Sequence, residues 1–577
     1  MRFAALLGAV FGKKTARHQK TSLLPCREAK HHEARHHKKI GLSVFVAAML
    51  CMGVTAQAAT ITVNSAVDAL TDAGKCTLRG AVDSVNAGSN QNNCVAVVSP
   101  DAYGSNDTIT FDAAVFTTPT IIDVTASGEI AISKSLTIEG LLDVDDAPLI
   151  TLDGKSANRI LNGSGTGFVL TVSGLAFQNG RAASDYGGAI VIPIGTVTVS
   201  NSTFENNHAN WGGAISARTA HVSNSTFENN QAFYFGGAID AATAHVSNSA
   251  FENNRTDGSS SHYSHYSFGG AINATTAHVS NSTFENNQAY DGGAIYAYTA
   301  NVSNSTFKGN QAYGIYDGGG GAIFGDDGTV NVSNSTFENN WANVRGGAIF
   351  AWTTLEASHL TLLDNSAGAN GAAIFMYDDS SGSIHNSLIL SSVALVDAPT
   401  LCAVGGAGSL GGSYNIEWVN GTDTTSCSNT NNVSGGSGAI GAIVETTLAD
   451  NGGPTPTLAL PAGSPAIGAA DPSGATSRML DIDFAQTPPT VTWVDATLDQ
   501  RGVTRVTTAA ERSLGAFEYK APPALPAPIP VLPAPLALLL ALGLAGVGFV
   551  GFRGRKTEDR GQRTEDRGQR TEDRGQR

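Results

Sequence analysis

The chain has 577 residues, of which only 14% are charged and 66 are glycine, and its formal net charge is −15. The charge is uneven: residues 1–39 hold ten Lys/Arg and two Asp/Glu, residues 553–577 hold nine and six, and the span between holds 15 and 41, a net of −26. So acidic a surface argues against nucleic acid or anionic lipid as partners, and the Gly-rich, charge-poor profile fits a secreted β-solenoid better than a cytosolic enzyme.

Residues 1–58 read as a signal peptide. A basic stretch with His31, His32, His36 and His37 precedes an uncharged apolar run over 40–54. Ala56-Gln57-Ala58 then supplies small residues for cleavage between Ala58 and Ala59. The His cluster is read as positive charge ahead of an export signal rather than as a metal tract.

Residues 59–125 form an N-terminal module with the runs Thr60-Ile61-Thr62-Val63, Cys76-Thr77-Leu78-Arg79-Gly80-Ala81 and Asn106-Asp107-Thr108-Ile109-Thr110-Phe111. Its Cys-x-Leu-Arg-x-Ala core resembles the CSLREA domain at the front of exported bacterial β-helix proteins. A solenoid exposes apolar residues and unpaired backbone at its first rung, so this module is expected to act as a cap. Cys26 and Cys51 fall in the leader, which leaves Cys76, Cys94, Cys402 and Cys427. No Cys-x-x-Cys spacing favours zinc, and sequence-local pairing gives Cys76–Cys94 and Cys402–Cys427, each contributing roughly 3 kcal/mol by constraining the unfolded chain.

Residues 126–395 carry the repeats. Leu136-Thr137-Ile138 and Ile150-Thr151-Leu152 mark early, irregular rungs. From there Gly-Gly-Ala-Ile alternates with Val-Ser-Asn-Ser-Thr-Phe-Glu-Asn-Asn, as at 212–215 and 222–230. The phenylalanines recur at Phe177, Phe204, Phe227, Phe251, Phe284, Phe307 and Phe337, with Leu362 and Ile389 as weaker successors and a shortest step of 23 residues. Such a unit is too short for a strand and a crossover helix but holds three short strands and three turns. It buries its apolar face only by coiling and stacking, so Ile215, Val222 and Phe227 point inward and the expected fold is all-β, a right-handed parallel β-helix. Gly pairs suit one corner and Asn pairs another, and stacked Asn side chains should form amide ladders. The recurring GGAI and Phe-x-x-Asn motifs (Phe204 with Asn207, Phe284 with Asn287) resemble the repeats of chlamydial polymorphic outer-membrane proteins. That resemblance implies a surface-exposed β-helix linked to adhesion.

Insertions fall between the Asn corner and the next Gly pair, along one edge, and are rich in aromatics, including Tyr234, Tyr263, Tyr266, Tyr290, Tyr313 and Tyr316. Such an edge suits stacking on sugar rings or a protein partner, or simply covers the corner. His221, His245 and His278 share one repeat position and are expected to form a solvated polar stripe rather than a metal ladder, because no carboxylate recurs beside them. The Asn-Ser-Thr triplets at Asn201, Asn224, Asn281, Asn304 and Asn334 are read as corner residues rather than glycosylation sites. The adjacent acid pairs Asp145-Asp146, Asp326-Asp327 and Asp378-Asp379 lack the facing carboxylates or bases that a polysaccharide hydrolase or lyase needs. No catalytic, cofactor or metal residue is assigned, and calcium stays open without a ligand set to hold it.

Residues 396–520 contain Leu448-Ala449-Asp450-Asn451-Gly452-Gly453-Pro454, Gly463-Ser464-Pro465-Ala466-Ile467, Asp499-Gln500-Arg501-Gly502-Val503 and Leu514-Gly515-Ala516-Phe517-Glu518. Together these resemble the choice-of-anchor Q domain, which implies a module ahead of a surface-sorting signal. Asp499 and Arg501 are read as a turn-stabilising ion pair rather than as catalytic. Residues 521–556 hold a Pro-rich spacer, an uncharged run over 536–552 that suits a transmembrane helix, and a basic end. They resemble PEP-CTERM-like sorting tails, which implies a sorting transpeptidase as a partner. Residues 557–577 repeat Thr-Glu-Asp-Arg-Gly-Gln-Arg three times with no apolar seam, and disorder is expected. The sequence thus reads as an exported protein of a Gram-negative cell envelope, an adhesin or matrix component that binds glycan or protein. The competing readings are a polysaccharide lyase or hydrolase and a purely structural solenoid.

Overall fold

The computed structural model describes residues 58–520, except for short stretches at 97–102, 105, 259–266, 317, 396–399, 428–429, 484–489, 507 and 509–510. Within them the chain winds as a parallel β-helix with three faces. One rung shows the plan. The first face is Ile215–Ser223, bent at Arg218; the second is Thr226–Glu228; the third is Gln231–Phe235. Each strand pairs in parallel with its counterpart one rung on, as Ile215 with Ile239, Phe227 with Phe251 and Ala232 with Thr256. The second face has 13 strands, the last of which turns back antiparallel, so 12 strands stack in parallel from Thr120–Asp123 to Ile416–Val419.

Local chemistry sets the corners. The first Asn of each Asn pair adopts the left-handed conformation, as Asn229 (φ 55°) and Asn253 (φ 54°) do, and Gly309 (φ 64°) takes that place where the pair is broken. The Asn after Val-Ser does the same at the preceding corner, with φ 46–50° from Asn201 to Asn334. At the third corner the first Gly is left-handed, and a Cβ on the second would lie 2.0 Å from the next rung's carbonyl oxygen at Gly213. A side chain there would push the rungs apart.

The core is a set of columns. Ile215, Val222 and Phe227 are all buried, as are their counterparts in neighbouring rungs. The phenylalanines from Phe177 to Phe337 stack with ring centroids 4.7–4.9 Å apart and planes within 7°. Leu362 and Ile389 continue that column in register. Burial of each ring contributes roughly 1.5–3 kcal/mol. Beside it runs the amide ladder. Asn230 Nδ2 donates to Asn254 Oδ1 at 2.9 Å and to Phe204 O at 2.9 Å, while Asn230 Oδ1 accepts from Asn207 N and Nδ2. The same pattern repeats to Asn365, with every rung's Asn buried. Each amide is satisfied by its neighbours, which is what lets a polar group sit in the interior.

At the N-terminal end, Thr60–Val63 pairs in parallel with Asp107–Phe111, which pairs in turn with Leu136–Glu139. The helix Leu78–Ala87, capped by Thr77, packs against Thr60–Val63, Asp107–Phe111 and the strand Ile130–Ile132. Arg79 pairs with the buried Asp68 at 2.8 Å and donates to the carbonyls of Gly128 and Glu129. Both local disulfides are present, Cys76–Cys94 and Cys402–Cys427. At the other end, residues 440–519 lie along the flank of the rungs. Asn334 donates to Leu498 O, Thr336 to Gln500 Oε1, and Gly515 N to Asn386 O. Among the described residues no helix is long and apolar enough to cross a membrane. The expected transmembrane run, the sorting tail and the heptapeptide repeats lie outside the described residues, as does the leader before Ala58.

Candidate functional site

From Gly212 onward, the residue after Gly-Gly-Ala-Ile, or after Gly-Ala-Ala-Ile in the last rung, lies on the opposite side of the strand from the core Ile, and register aligns these positions as Ser216, Asp240, Asn273, Tyr296, Phe324, Phe350 and Phe375. The column changes from polar to aromatic along the solenoid. Its polar half forms the floor of a surface groove of about 530 Å³. Arg218 and Tyr298, at the bend of the first face, line it together with Tyr186. Tyr186 and Tyr298 are 43% and 47% exposed, so both rings are available to a ligand. Asn273 Nδ2 donates to Asp240 Oδ1 at 2.7 Å, and burial pushes the Asp240 carboxyl up to about 6. Tyr296 donates its hydroxyl to Asp326 Oδ2 at 2.6 Å, and burial raises both groups above their ordinary range. Asp291 lies at the Gly-Gly corner, just before Gly292. Gly319 N donates to its Oδ1 at 3.0 Å, and burial, opposed by that hydrogen bond and reinforced by Asp326, lifts it to about 7.

Flat aromatic faces beside a held carboxyl–amide pair and an exposed guanidinium are the chemistry that recognises sugar rings, whose C–H faces stack while their hydroxyls take directed hydrogen bonds. Sequence reading missed this groove. Asp240, Asn273 and Tyr296 are 33 and 23 residues apart, and only the rung register makes them neighbours. Reading one repeat position down the chain would have found them.

The aromatic edge is only partly assembled. Tyr234 stacks on Trp211, which stacks on Tyr186, with centroids 5.2 and 4.6 Å apart. Tyr316 is 63% exposed. Tyr313 is at the margin of exposure but donates its hydroxyl to Thr256 O at 2.6 Å, which ties it to the rung. Tyr290 is buried and meets Tyr313 edge-on, so it covers the corner rather than facing a ligand. Tyr263 and Tyr266 lie outside the described residues.

The histidine column is real but not solvated. His221, His245 and His278 stack with centroids 4.5 and 5.1 Å apart, and Asn301 and Asn331 continue it. His245 and His278 are buried. Rung spacing puts each ring against the next, so the flat faces are hidden even though the side chains point away from the core. Burial lowers all three below the ordinary imidazole range, His245 to about 3 and His278 to about 4. Among the described residues no group of three or more His, Cys, Asp and Glu has the arrangement of a metal site.

The acid pairs sit in turns. Asp146, Asp327 and Asp379 all take left-handed φ angles, and both members of 145–146 and 378–379 are exposed. In the C-terminal region, Asp499 is buried, pairs with Arg501 at 2.6 Å and accepts from the backbone N–H groups of Arg501, Val503 and Glu518. It holds the turn together, and Arg501 stacks 3.6 Å above the Phe517 ring. Sequence reading missed the neighbouring pair of Arg505 and Glu518, both fully buried and 2.9 Å apart.

Family comparison agrees with the winding. Residues 270–422 match the right handed beta helix region model, and residues 201–218 match the Chlamydia polymorphic membrane protein repeat. These give the β-helix its hand and confirm the polymorphic-membrane-protein-like repeat. No curated protein matches the chain. A solved PL6 family alginate lyase, the AlyGC enzyme in mutant form, is similar at 12% identity with a TM-score of 0.32, over 58% of this chain and 53% of that one. The chain thus spans about half the length of that structure.

Proposed function

We propose that the chain is an exported bacterial cell-surface protein that binds glycan along its β-helix, acting as an adhesin or extracellular-matrix component. The observation that carries the glycan reading is the groove, where exposed Tyr186 and Tyr298 flank Asp240, Asn273 and Arg218. The polymorphic-membrane-protein-like repeat and the two disulfides support a place at the cell surface in an oxidising compartment. The N-terminal and C-terminal modules would then cap the solenoid and present it ahead of a sorting transpeptidase, with 536–552 as a transient or permanent anchor.

The test is retention of the protein on acidic and neutral polysaccharides, with and without calcium, alongside a count of new chain ends. Retention without new ends, lost in Tyr298→Ala, supports the binding reading. One observation favours a second reading. A carboxyl raised to about 6 in a sugar-sized groove is a proton donor near neutral pH, the property that a polysaccharide lyase or hydrolase uses. New chain ends that vanish in Asp240→Asn would establish that enzyme instead. Retention that Tyr186→Ala and Tyr298→Ala both leave unchanged would sink the groove.

A further inference from the structure

The first rung holds a buried carboxylate with one open oxygen. Asp107 opens the strand Asp107–Phe111 and is fully shielded from solvent. Its Oδ1 accepts from Ala59 N at 2.8 Å and from Gly104 N at 3.1 Å. Its Oδ2 has no hydrogen-bond partner among the described residues. A buried carboxylate met only by neutral amides, with a lone pair face left open, is costly, and such groups are ordinarily paired with a cation. Arg79, on the helix that packs against this strand, is held by Asp68.

The group that faces Asp107 is the backbone nitrogen of Ala59, and the residues before it are Ala56-Gln57-Ala58. Small residues at the first and third places before a bond, after an uncharged apolar run, are what a signal endopeptidase cuts. We propose that the Ala58–Ala59 bond is hydrolysed and that Asp107 is built to receive the α-ammonium released on Ala59. Water adds its oxygen to the Ala58 carbonyl carbon and the C–N bond breaks. The leader departs as a carboxylate, and the water's protons complete an –NH3+ on Ala59. One N–H keeps the contact to Oδ1, and the two new donors are free to reach Oδ2. An α-amine has an ordinary pKa of about 7.7–8.0, so it is charged at neutral pH, and the more so beside a carboxylate. The new terminus stays in place because Thr108 N donates to Ala59 O at 2.8 Å, the first bond of the ladder. Processing thus supplies the missing charge at the open end of the solenoid, and the uncut chain folds with Asp107 unneutralised.

This inference rests on the export part of the proposed function and is tested on the full chain recovered from the envelope of a Gram-negative host. N-terminal peptide mass spectrometry identifies the start. Acetylation of the native protein and of the protein in urea then compares the reactivity of its α-amine. The expected start is Ala59, with an α-amine acetylated roughly ten times slower in the folded protein than in urea, because the buried pair must open first. Asp107→Asn should abolish that protection. Should the variant fail to fold, the wild-type comparison alone decides. A start at any other residue overturns the inference while leaving export standing. An intact Met1 end overturns both. A start at Ala59 with an amine equally reactive in the two states overturns the ion pair.

Discussion

The repeated rungs and the C-terminal region solve one problem in two ways. Both bury polar groups. In the rungs, Asn207 to Asn365 are each satisfied by a copy of themselves one rung away. In the C-terminal region, Arg505, Glu518, Asp499 and Gln500 are satisfied by partners that occur once, several of them on the rungs more than 100 residues earlier. Periodic satisfaction spreads the cost of losing one member over its neighbours. Single-copy satisfaction concentrates it.

The largest expected effect follows from that concentration. Glu518→Gln leaves Arg505 charged and fully buried with no counter-ion at 2.9 Å, and removing one partner of a buried pair costs about 3–5 kcal/mol. Chemical denaturation should show the C-terminal region unfolding before the rungs. A single transition with unchanged midpoint would contradict the contrast.

Next is Asn254→Ala. It leaves the N–H of Asn230 and the Nδ2 of Asn230 without their shared acceptor, and takes from Asn287 Oδ1 its side-chain donor while the backbone N–H of residue 254 stays. A buried group left unmade costs about 1–3 kcal/mol. The loss should be smaller than that of Glu518→Gln, because rungs on either side keep their own ladder bonds.

A smaller effect sharpens the comparison within the rungs, where Asp291 interrupts the repeat. Its carboxyl is lifted to about 7 by burial. The folded state therefore holds a proton that the unfolded chain releases near 4, and stability falls as pH rises from about 4 to 7. Asp291→Asn should remove that fall. Its midpoint should match the wild type at pH 4 and exceed it at pH 8, with a ceiling of about 4 kcal/mol and an expected gain near 1. A variant less stable at pH 8 would show that the charged form is the one the fold holds.

The same contrast explains what was legible. The β-helix, the Phe column through Leu362 and Ile389, the inward Ile215 and Val222, the amide ladder and both disulfides all follow from period and spacing. The groove was missed although its floor shares one repeat position, because insertions of unequal length set Asp240, Asn273 and Tyr296 33 and 23 residues apart and each rung alone shows only one of them. The histidines were placed in the right column but in the wrong environment: outward direction does not imply exposure when the next ring lies 4.5 Å away. Of the two roles open to the aromatic edge, Tyr290 takes the covering one, since an insertion folds back on its own corner. Arg505 and Glu518 carry no periodic signal at all.

The smallest effect comes from the largest change. Deleting residues 205–227 removes one full rung and joins Phe204 to Glu228, which restores the repeat without a seam. In a stacked array each rung contacts only its neighbours, so stability is close to a sum of rung and interface terms. The removed rung lies before Thr306, the first rung residue bonded to Gln500, so the single-copy contacts are untouched. The shortened chain should fold with its far-ultraviolet dichroism intact and its thermal midpoint lowered by only a few degrees. It should also place Tyr186 and Phe235 on adjacent rungs, which resets one wall of the groove. Polysaccharide retention would then change while stability barely does. Collapse of the fold would mean that the rungs are not interchangeable and that the periodic region depends on particular partners as much as the C-terminal region does.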